Sequence, residues 1–476
     1  MESSILYTTE SNNAYLYDNR YRLAMLVHPD LRKVHEKQSD FDSYYKDKYE
    51  YLKSHGFFSL TEPLYRVDLT PADVQDNLGR VQQIVFEATG ACNLMCSYCI
   101  QGNLYDGFEA REYGSIDYHS AITLLEYVFE YKKKVAQNKI TISFYGGEPL
   151  LNIGFIKDIV GFIKTSDLAK NFNVSYSMTT NATLLYKNID FFHDNNFKIL
   201  ISLDGGKENN VYRKLRSNGL EAFEQIIDNV DCIKKEYPDY FKENIEFNSV
   251  LNDKNSVKDI YEFIYGKYGK IPRISELSSE NLKSKEKDEF GVYYRSRRRS
   301  EEEFQSVGTH LKAITHNQML SYWELAYFIN YYLVNSYVIN IPELFCEKAL
   351  FPSNTCLPFY KKIFLTSGNK ILPCERINHK YYLGYVNGNV EIDFLKIAKQ
   401  YNMYYESMRN NCNKCYAFRF CGTCMFGLEN LGVKKNKCKN FHSKQMFKNK
   451  LSRIFSYLEK YPQDFSDIVR NVVITS

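Results

Sequence analysis

Six short β-rich runs alternate with helix-length runs between residues 83 and 277, and that alternation predicts an α/β fold. Eight strands would close a full barrel; six predict an open, partial (β/α)6, TIM-like barrel of parallel strands. Both flanks depart from this period. Residues 1–78 read as a small α+β unit, and eight of the 12 cysteines fall between 346 and 438.

In chain order, Ser4–Thr8 and Ala14–Asp18 read as strands flanking a Ser-Asn-Asn turn, with helical patterns near 22–37 and 42–55 and a linker from Pro63 to Pro71. The barrel, 79–277, takes its strands from Gln83–Glu87, Ile140–Tyr145, Val174–Thr179, Lys198–Leu203, Ile245–Val250 and Arg273–Leu277. Helices are expected at 118–136, 155–168, 186–194, 221–236 and 255–267. Residues 278–345 read as a charged insertion, a solvated loop over 278–303, followed by an apolar helical bridge. A cysteine-rich domain over 346–440 and a terminal helix over 441–476 complete the chain.

The 476 residues suffice for two to four domains. A net charge of +4 lacks the basic stripe that nucleic acid requires. No run of about 18 apolar residues suggests a membrane span. Met1-Glu2-Ser3-Ser4 lacks a signal-peptide pattern, so the chain is expected in the cytoplasm. Thiols stay reduced there, and 12 cysteines point to metal or redox chemistry before disulfides. Cys232 stands alone and reads as a structural thiol.

Cys92, Cys96 and Cys99 form a C-x3-C-x2-C run directly after the first barrel strand. This is one thiolate short of a closed four-ligand site. Three thiolates can hold three irons of a [4Fe–4S] cluster and leave the fourth open to a small molecule. Tyr145-Gly146-Gly147-Glu148-Pro149-Leu150 closes the second strand. Its glycines permit close approach to a ligand, and Glu148 can pair with an ammonium. Thr179-Thr180-Asn181-Ala182-Thr183 closes the third strand and Ile201-Ser202-Leu203-Asp204-Gly205 the fourth. Polar groups at carboxyl ends of parallel strands mark the ligand end of such folds.

With Tyr98 just before the last cysteine, these motifs resemble, in order, those of the radical S-adenosylmethionine (SAM) superfamily. Ala182 replaces the family's usual Gly. The resemblance implies a [4Fe–4S] cluster on Cys92, Cys96 and Cys99. It also implies SAM contacts from Tyr98, Gly146, Gly147, Glu148, Pro149, Asn181, Ser202 and Asp204. Arg213 is the candidate for the methionine carboxylate, Arg216 its competitor, and Asn248 a further lining residue. The implied chemistry is one-electron cleavage of SAM to a 5′-deoxyadenosyl radical that abstracts hydrogen from a substrate.

The later run C-x2-C-x5-C-x2-C-x13-C, preceded by Cys346, Cys356 and Cys374, makes eight thiolates, enough for two four-ligand sites. Structural zinc is the general alternative. The pattern resembles the SPASM extension, with its last pair one residue closer than usual. The resemblance implies two auxiliary [4Fe–4S] clusters. Cys346, Cys356, Cys374 and Cys424 would hold one; Cys412, Cys415, Cys421 and Cys438 the other. Cys346 is the least regular ligand, and without it the first cluster would keep an open iron.

Residues 1–78 resemble the winged-helix-like leader-recognition unit of enzymes that mature ribosomally made peptides. Such units add a leader peptide as a strand, and the edge expected here is Ala14–Asp18. The resemblance therefore implies a maturase of a precursor peptide, drawing electrons from a flavodoxin or ferredoxin. A thioether cross-link is the first expectation and a carbon–carbon or carbon–oxygen link the second. The alternatives are oxidation of a sulfatase Cys or Ser and, outside enzymes, an iron–sulfur or zinc binding module.

Overall fold

The computed structural model describes residues 4–471 except 20, 59–64, 108–113, 307–324, 327, 330–350, 419–420 and 434–437. Cys346 lies outside the described residues, as does nearly all of the expected helical bridge. The chain divides into two compact units, one of 1–68, 302–355 and 402–476, the other of 69–301 and 356–401.

The first unit holds three antiparallel strands, β1 (Ser4–Thr8), β2 (Ala14–Asp18) and β3 (Leu23–Leu26), in the order β1-β2-β3. Asn12, at φ 64°, makes the β1–β2 turn, a left-handed conformation that Asn tolerates. Alternation buries both faces of the sheet. Ile5, Tyr7 and Tyr17 pack with Phe447, Leu451 and Ile454 of the helix Lys444–Lys460. Leu6, Leu16 and Met25 join Leu31 of the helix Pro29–His35 and Tyr49 and Leu52 of the helix Ser43–Ser54. Two expectations change here. The helix foreseen at 22–37 is a strand followed by a shorter helix, because β2 templates Leu23–Leu26. Ala14–Asp18 is the central strand, with both edges used, so it offers no edge to a peptide; among the described residues β3 pairs on one side only. The terminal segment is two helices, Lys444–Lys460 and Pro462–Asn471, broken where Pro462 opens the second.

The second unit is built on β4 (Gln83–Thr89), β5 (Lys139–Gly146), β6 (Asn173–Thr180), β7 (Lys198–Ser202), β8 (Ile245–Leu251) and β9 (Arg273–Glu276), parallel and in sequential order. Helices Tyr118–Lys132, Ile153–Thr165, Ile189–Asp194, Phe223–Glu236 and Val257–Tyr268 form the connections. The helix Ile153–Thr165 buries Phe155, Ile156, Ile159, Val160 and Ile163, one stripe at helical spacing. Ser256 caps Val257–Tyr268 through Asp259 N–H, and Gly269, at φ 68°, ends it.

The sheet does not stop at six strands. β10 (Lys362–Leu365) pairs parallel with β4, and β11 (Lys370–Leu372), β12 (Gly384–Asn387) and β13 (Asn389–Ile392) follow antiparallel. These strands are three or four residues long, too short for a periodicity to announce them. The 278–303 stretch is not a solvated loop. It contains the helices Lys287–Tyr293 and Arg297–Ser306, and Phe290 is buried with Tyr98, Leu104, Tyr105 and Leu277. Asp106 N–H donates to Asn281 O at 2.7 Å and Lys283 N–H to Leu104 O at 3.0 Å, which ties this segment to the chain following the cysteines.

Candidate active site

The carboxyl ends of β4 to β9 surround a cavity of ≈ 300 Å³ in the second unit. Cys92, Cys96 and Cys99 line it on one side, and Gly146, Gly147 and Glu148 line it at the end of β5. Asn181, Ser202 and Asn248 reach it from β6, β7 and β8, and Tyr98 and Arg213 complete the set. Asp204, Pro149 and Arg216 are not among the lining residues.

Each of those three has another place. Asp204 is fully buried. It accepts from Arg213 Nε and Nη2, both at 2.9 Å, from Val250 N–H at 2.9 Å, and from the Tyr98 phenol. It therefore orients two lining residues. Pro149 opens a short 3-10 turn beside Glu148. Arg216 is exposed and donates to the Cys92 carbonyl at 3.0 Å.

Glu148 is 1% exposed and accepts from Thr180 Oγ1 at 2.6 Å, Asn181 N–H at 2.7 Å and Leu150 N–H at 3.2 Å. Burial raises its pKa from 4.5 to about 7, against the pull of those hydrogen bonds. A buried carboxylate so poised is stabilised as an anion by any ligand that brings N–H donors.

The glycines before it also admit a close approach by backbone. A Cβ on Gly147 would lie 2.1 Å from Ala91 O, and one on Gly146, at φ 129°, 2.3 Å from Thr89 O. What approaches closely is the backbone leading into Cys92. Gly147 N–H to Thr89 O at 2.9 Å and Glu148 N–H to Ala91 O at 2.8 Å lock the two segments together. Asn181 works on the same loop, its Nδ2 donating to Asn93 Oδ1 at 2.9 Å. Ala182 adopts φ 63°, a left-handed conformation that costs a non-glycine residue about 1 kcal/mol and accounts for Gly in the motif it resembles.

Sequence reasoning missed residues that long-range pairing delivers. Because β10 aligns beside β4, Glu375 and Arg376 line the same cavity. Glu375 is held by Lys362 Nζ at 3.0 Å. Glu87 accepts from Ser367 N–H at 2.9 Å and from Gln101 Nε2 at 3.2 Å, fixing Gln101 at the cavity wall. Tyr145, adjacent to the glycines, also lines it.

The donor set fits a cluster. Among the described residues no three His, Cys, Asp or Glu side chains converge as they would on a single metal ion. Three thiols lining one cavity are the ligand number that a [4Fe–4S] cluster with one open iron requires. Burial pushes the Cys96 thiol up to about 12. The cavity volume also leaves room for a small organic ligand.

In the first unit, Cys412, Cys415, Cys421 and Cys438 line one cavity of ≈ 150 Å³. Burial pushes the Cys412 thiol up to about 12, and His442 N–H donates to Cys415 Sγ at 3.4 Å. Four thiols and a polar N–H around one small cavity fit a fully ligated cluster. Cys424 does not line this cavity and is exposed, as is Cys356 in the other unit. Cys374 lies half-buried beside Glu375, as Cys232 does on the helix Phe223–Glu236.

Comparison with known proteins agrees with this geometry. Residues 86–264 match the Radical SAM superfamily. The chain is 30% identical over 187 residues to the cysteine-type anaerobic sulfatase-maturating enzyme of Clostridium novyi (strain NT), covering 38% of this chain and 47% of that enzyme. It is 28% identical over 180 residues to the radical SAM cyclopropyl synthase TigE of Paramaledivibacter caminithermalis, covering 36% of each. The chain thus spans half or less of the length of these two curated relatives. In structure it resembles "Native anSMEcpe with bound AdoMet" with a TM-score of 0.53 at 18% identity, over 82% of this chain and all of the other, a likeness of fold. Residues 86–264 are a radical SAM domain, homologous to that of anaerobic sulfatase-maturating enzymes and of a radical SAM cyclopropyl synthase. Among the described residues no helix is long and apolar enough to cross a membrane.

Proposed function

We propose that this chain is a radical SAM peptide maturase carrying three [4Fe–4S] clusters. The observation that carries this is the single cavity lined by Cys92, Cys96, Cys99 and the buried carboxylate of Glu148. Cys92, Cys96 and Cys99 hold the cluster that binds SAM. Cys412, Cys415, Cys421 and Cys438 hold one auxiliary cluster; Cys374, with Cys356, Cys424 and Cys346, holds the other. A reduced [4Fe–4S] cluster bound by these thiolates would supply the electron for cleavage of SAM to a 5′-deoxyadenosyl radical able to remove hydrogen from the substrate.

The chain's own groups bind and exclude. Glu148 accepts from the methionine amino group, and Arg213, oriented by Asp204, faces the methionine carboxylate. Tyr98, Leu104, Tyr105, Leu277 and Phe290 form an apolar cover that keeps water from the cysteine loop.

The substrate we assign is a precursor peptide whose leader adds to the edge of β3 that no described strand pairs. Val27 N–H donates to Ala14 O at 2.9 Å. By the alternation of an antiparallel ladder, Ala24 and Leu26 turn their N–H groups away from β2, available to a further strand. Leu26→Pro removes one such donor and leaves the β2–β3 ladder intact. It is expected to weaken precursor binding by about tenfold while sparing SAM cleavage without peptide; unchanged binding refutes the edge.

The product proposed is a thioether cross-link, with carbon–carbon or carbon–oxygen links as the nearby chemistry. The sulfatase-maturase relative favours a second reading, oxidation of a Cys or Ser in a protein. Anaerobic protein with its clusters restored, given dithionite and SAM, should release 5′-deoxyadenosine; none at all refutes the radical SAM reading. Mass spectrometry of the peptide divides a cross-link from oxidation of Cys; oxidation of Ser to an aldehyde also loses two hydrogens and is told apart by reaction with a hydrazide. A cross-link loses two hydrogens and keeps sulfur, whereas oxidation of Cys to an aldehyde loses sulfur.

A further inference from the structure

We infer that the exposed hairpin from Lys214 to Glu221, with Met95 beside it, is the docking face for an acidic one-electron carrier of the flavodoxin or ferredoxin class. The inference rests on the radical SAM reading of the cavity.

The cysteine loop is covered where Leu104, Tyr105, Leu277 and Phe290 pack with Tyr98. It is open at Met95, adjacent to Cys96 and 46% exposed. The hairpin docks here. Met95 N–H donates to Lys214 O and Arg216 N–H to Asn93 O, both at 2.8 Å, and Leu94 bridges Leu215. Gly219, at φ 72°, makes the turn, and Leu220 projects with 64% exposure. A depression of ≈ 440 Å³ lies between Leu215, Arg216, Ser217, Asn93 and Gln225. An exposed Met and Leu on and beside this hairpin suit an adaptable, transient contact.

Charge selects the partner. Lys207 is paired with Glu224 at 2.6 Å, and Glu221 opposes Lys214 across the hairpin. No carboxylate among the described residues pairs with Arg216, which is exposed. A planar guanidinium free of a carboxylate is a ready partner for one on another protein. The same guanidinium donates through Nε to the Cys92 carbonyl at 3.0 Å and through Nη2 to the Leu94 carbonyl at 3.5 Å. A carrier seated on Arg216 is therefore joined by one hydrogen bond to the residue that ligates iron. In the transfer the carrier is oxidised by one electron and the cluster on Cys92, Cys96 and Cys99 is reduced by one; no bond forms or breaks and no proton moves.

The test uses the full-length protein with its clusters restored and a flavodoxin. Hydrogen exchange on the unmodified protein should show protection confined to 93–95 and 214–221 when flavodoxin is added. Protection elsewhere, or protection here that tracks protein concentration without flavodoxin, overturns the assignment in favour of another face or a second copy. Lys214→Glu and Leu220→Glu should each raise the flavodoxin concentration for half-maximal SAM cleavage by about tenfold, while cleavage driven by dithionite stays within about twofold of the parent. Unchanged flavodoxin dependence overturns the docking face. If a substitution also lowers the dithionite rate, the exchange footprint on the unmodified protein decides. Absence of cleavage by the parent with dithionite overturns the radical SAM reading itself; cleavage without a footprint overturns the docking face alone.

Discussion

Arg213 lays Nε and Nη2 on the two carboxylate oxygens of Asp204, each at 2.9 Å, in a pair buried on both sides. The arrangement spans nine residues of chain between the end of β7 and the hairpin beside the cysteine loop. It also takes in the Tyr98 phenol, so one carboxylate sets a cation and an aromatic ring at the cavity.

Removing that carboxylate's charge leaves Arg213 buried and unpaired. Asp204→Asn is expected to cost about 3–5 kcal/mol of stability in urea unfolding, as for other broken buried pairs. Pairing it with Arg213→Gln should recover part of the loss, a coupling that a double-mutant cycle reads. An Asp204→Asn protein as stable as the parent would show that the pair is not desolvated.

Glu148 makes stability and ligand binding respond to pH in opposite senses. Its folded-state pKa, about 7, lies above its ordinary 4.5. The unfolded chain ionises first as pH rises, so the folded state loses relative stability between about pH 4.5 and 7 and holds level above. Glu148→Gln cannot ionise. Without SAM, its stability relative to the parent should rise across that window and then flatten, measured by thermal unfolding at several pH values. SAM binding needs the anion, so the parent's affinity should fall as pH drops below about 7 and that of Glu148→Gln should lack this limb.

Gly147→Ala forces a Cβ against Ala91 O and Gly90 O, backbone atoms that cannot step aside. We expect a loss of about 1–3 kcal/mol and at least tenfold slower SAM cleavage. Gly161→Ala, in the helix Ile153–Thr165 with nothing within 4 Å, is the control; it should gain about 0.5–1 kcal/mol. Equal behaviour of the two variants would refute the close approach.

Metal content separates the cysteine sets. Three [4Fe–4S] clusters amount to about 12 irons per chain, and Ala at Cys92, Cys96 or Cys99 should remove about four and abolish SAM cleavage. Ala at Cys412 should remove about four while SAM cleavage without peptide persists. Zinc in place of iron would refute the auxiliary clusters, and Cys232→Ala should leave the metal content unchanged.

Five of the six parallel strands were legible because each runs five to eight residues and shows its apolar run, and each of the first four carries a polar motif at its carboxyl end; β9, only four residues, was legible from its place in the strand–helix alternation. The short strands β10 to β13 were not, since three or four residues carry no period. The helix expected at 22–37 failed for a related reason: Leu23–Leu26 is extended because β2 offers it a ladder, which no local propensity records.

The amino-acid sequence by itself determined which chemistry is present: a three-thiolate run, a Gly-Gly-Glu-Pro turn and a second set of cysteines, all carried by local spacing. Only the tertiary structure decided what those residues face. Side chains hundreds of residues apart, such as Glu87 and Ser367, meet through strand pairing that spacing cannot encode. Gly147 packs against backbone at Ala91 while lining the cavity, Asp204 is held inside an ion pair, and Glu375 reaches the cavity because β10 lies beside β4. Burial then sets the energies, turning an ordinary carboxylate at Glu148 into one that titrates near neutrality.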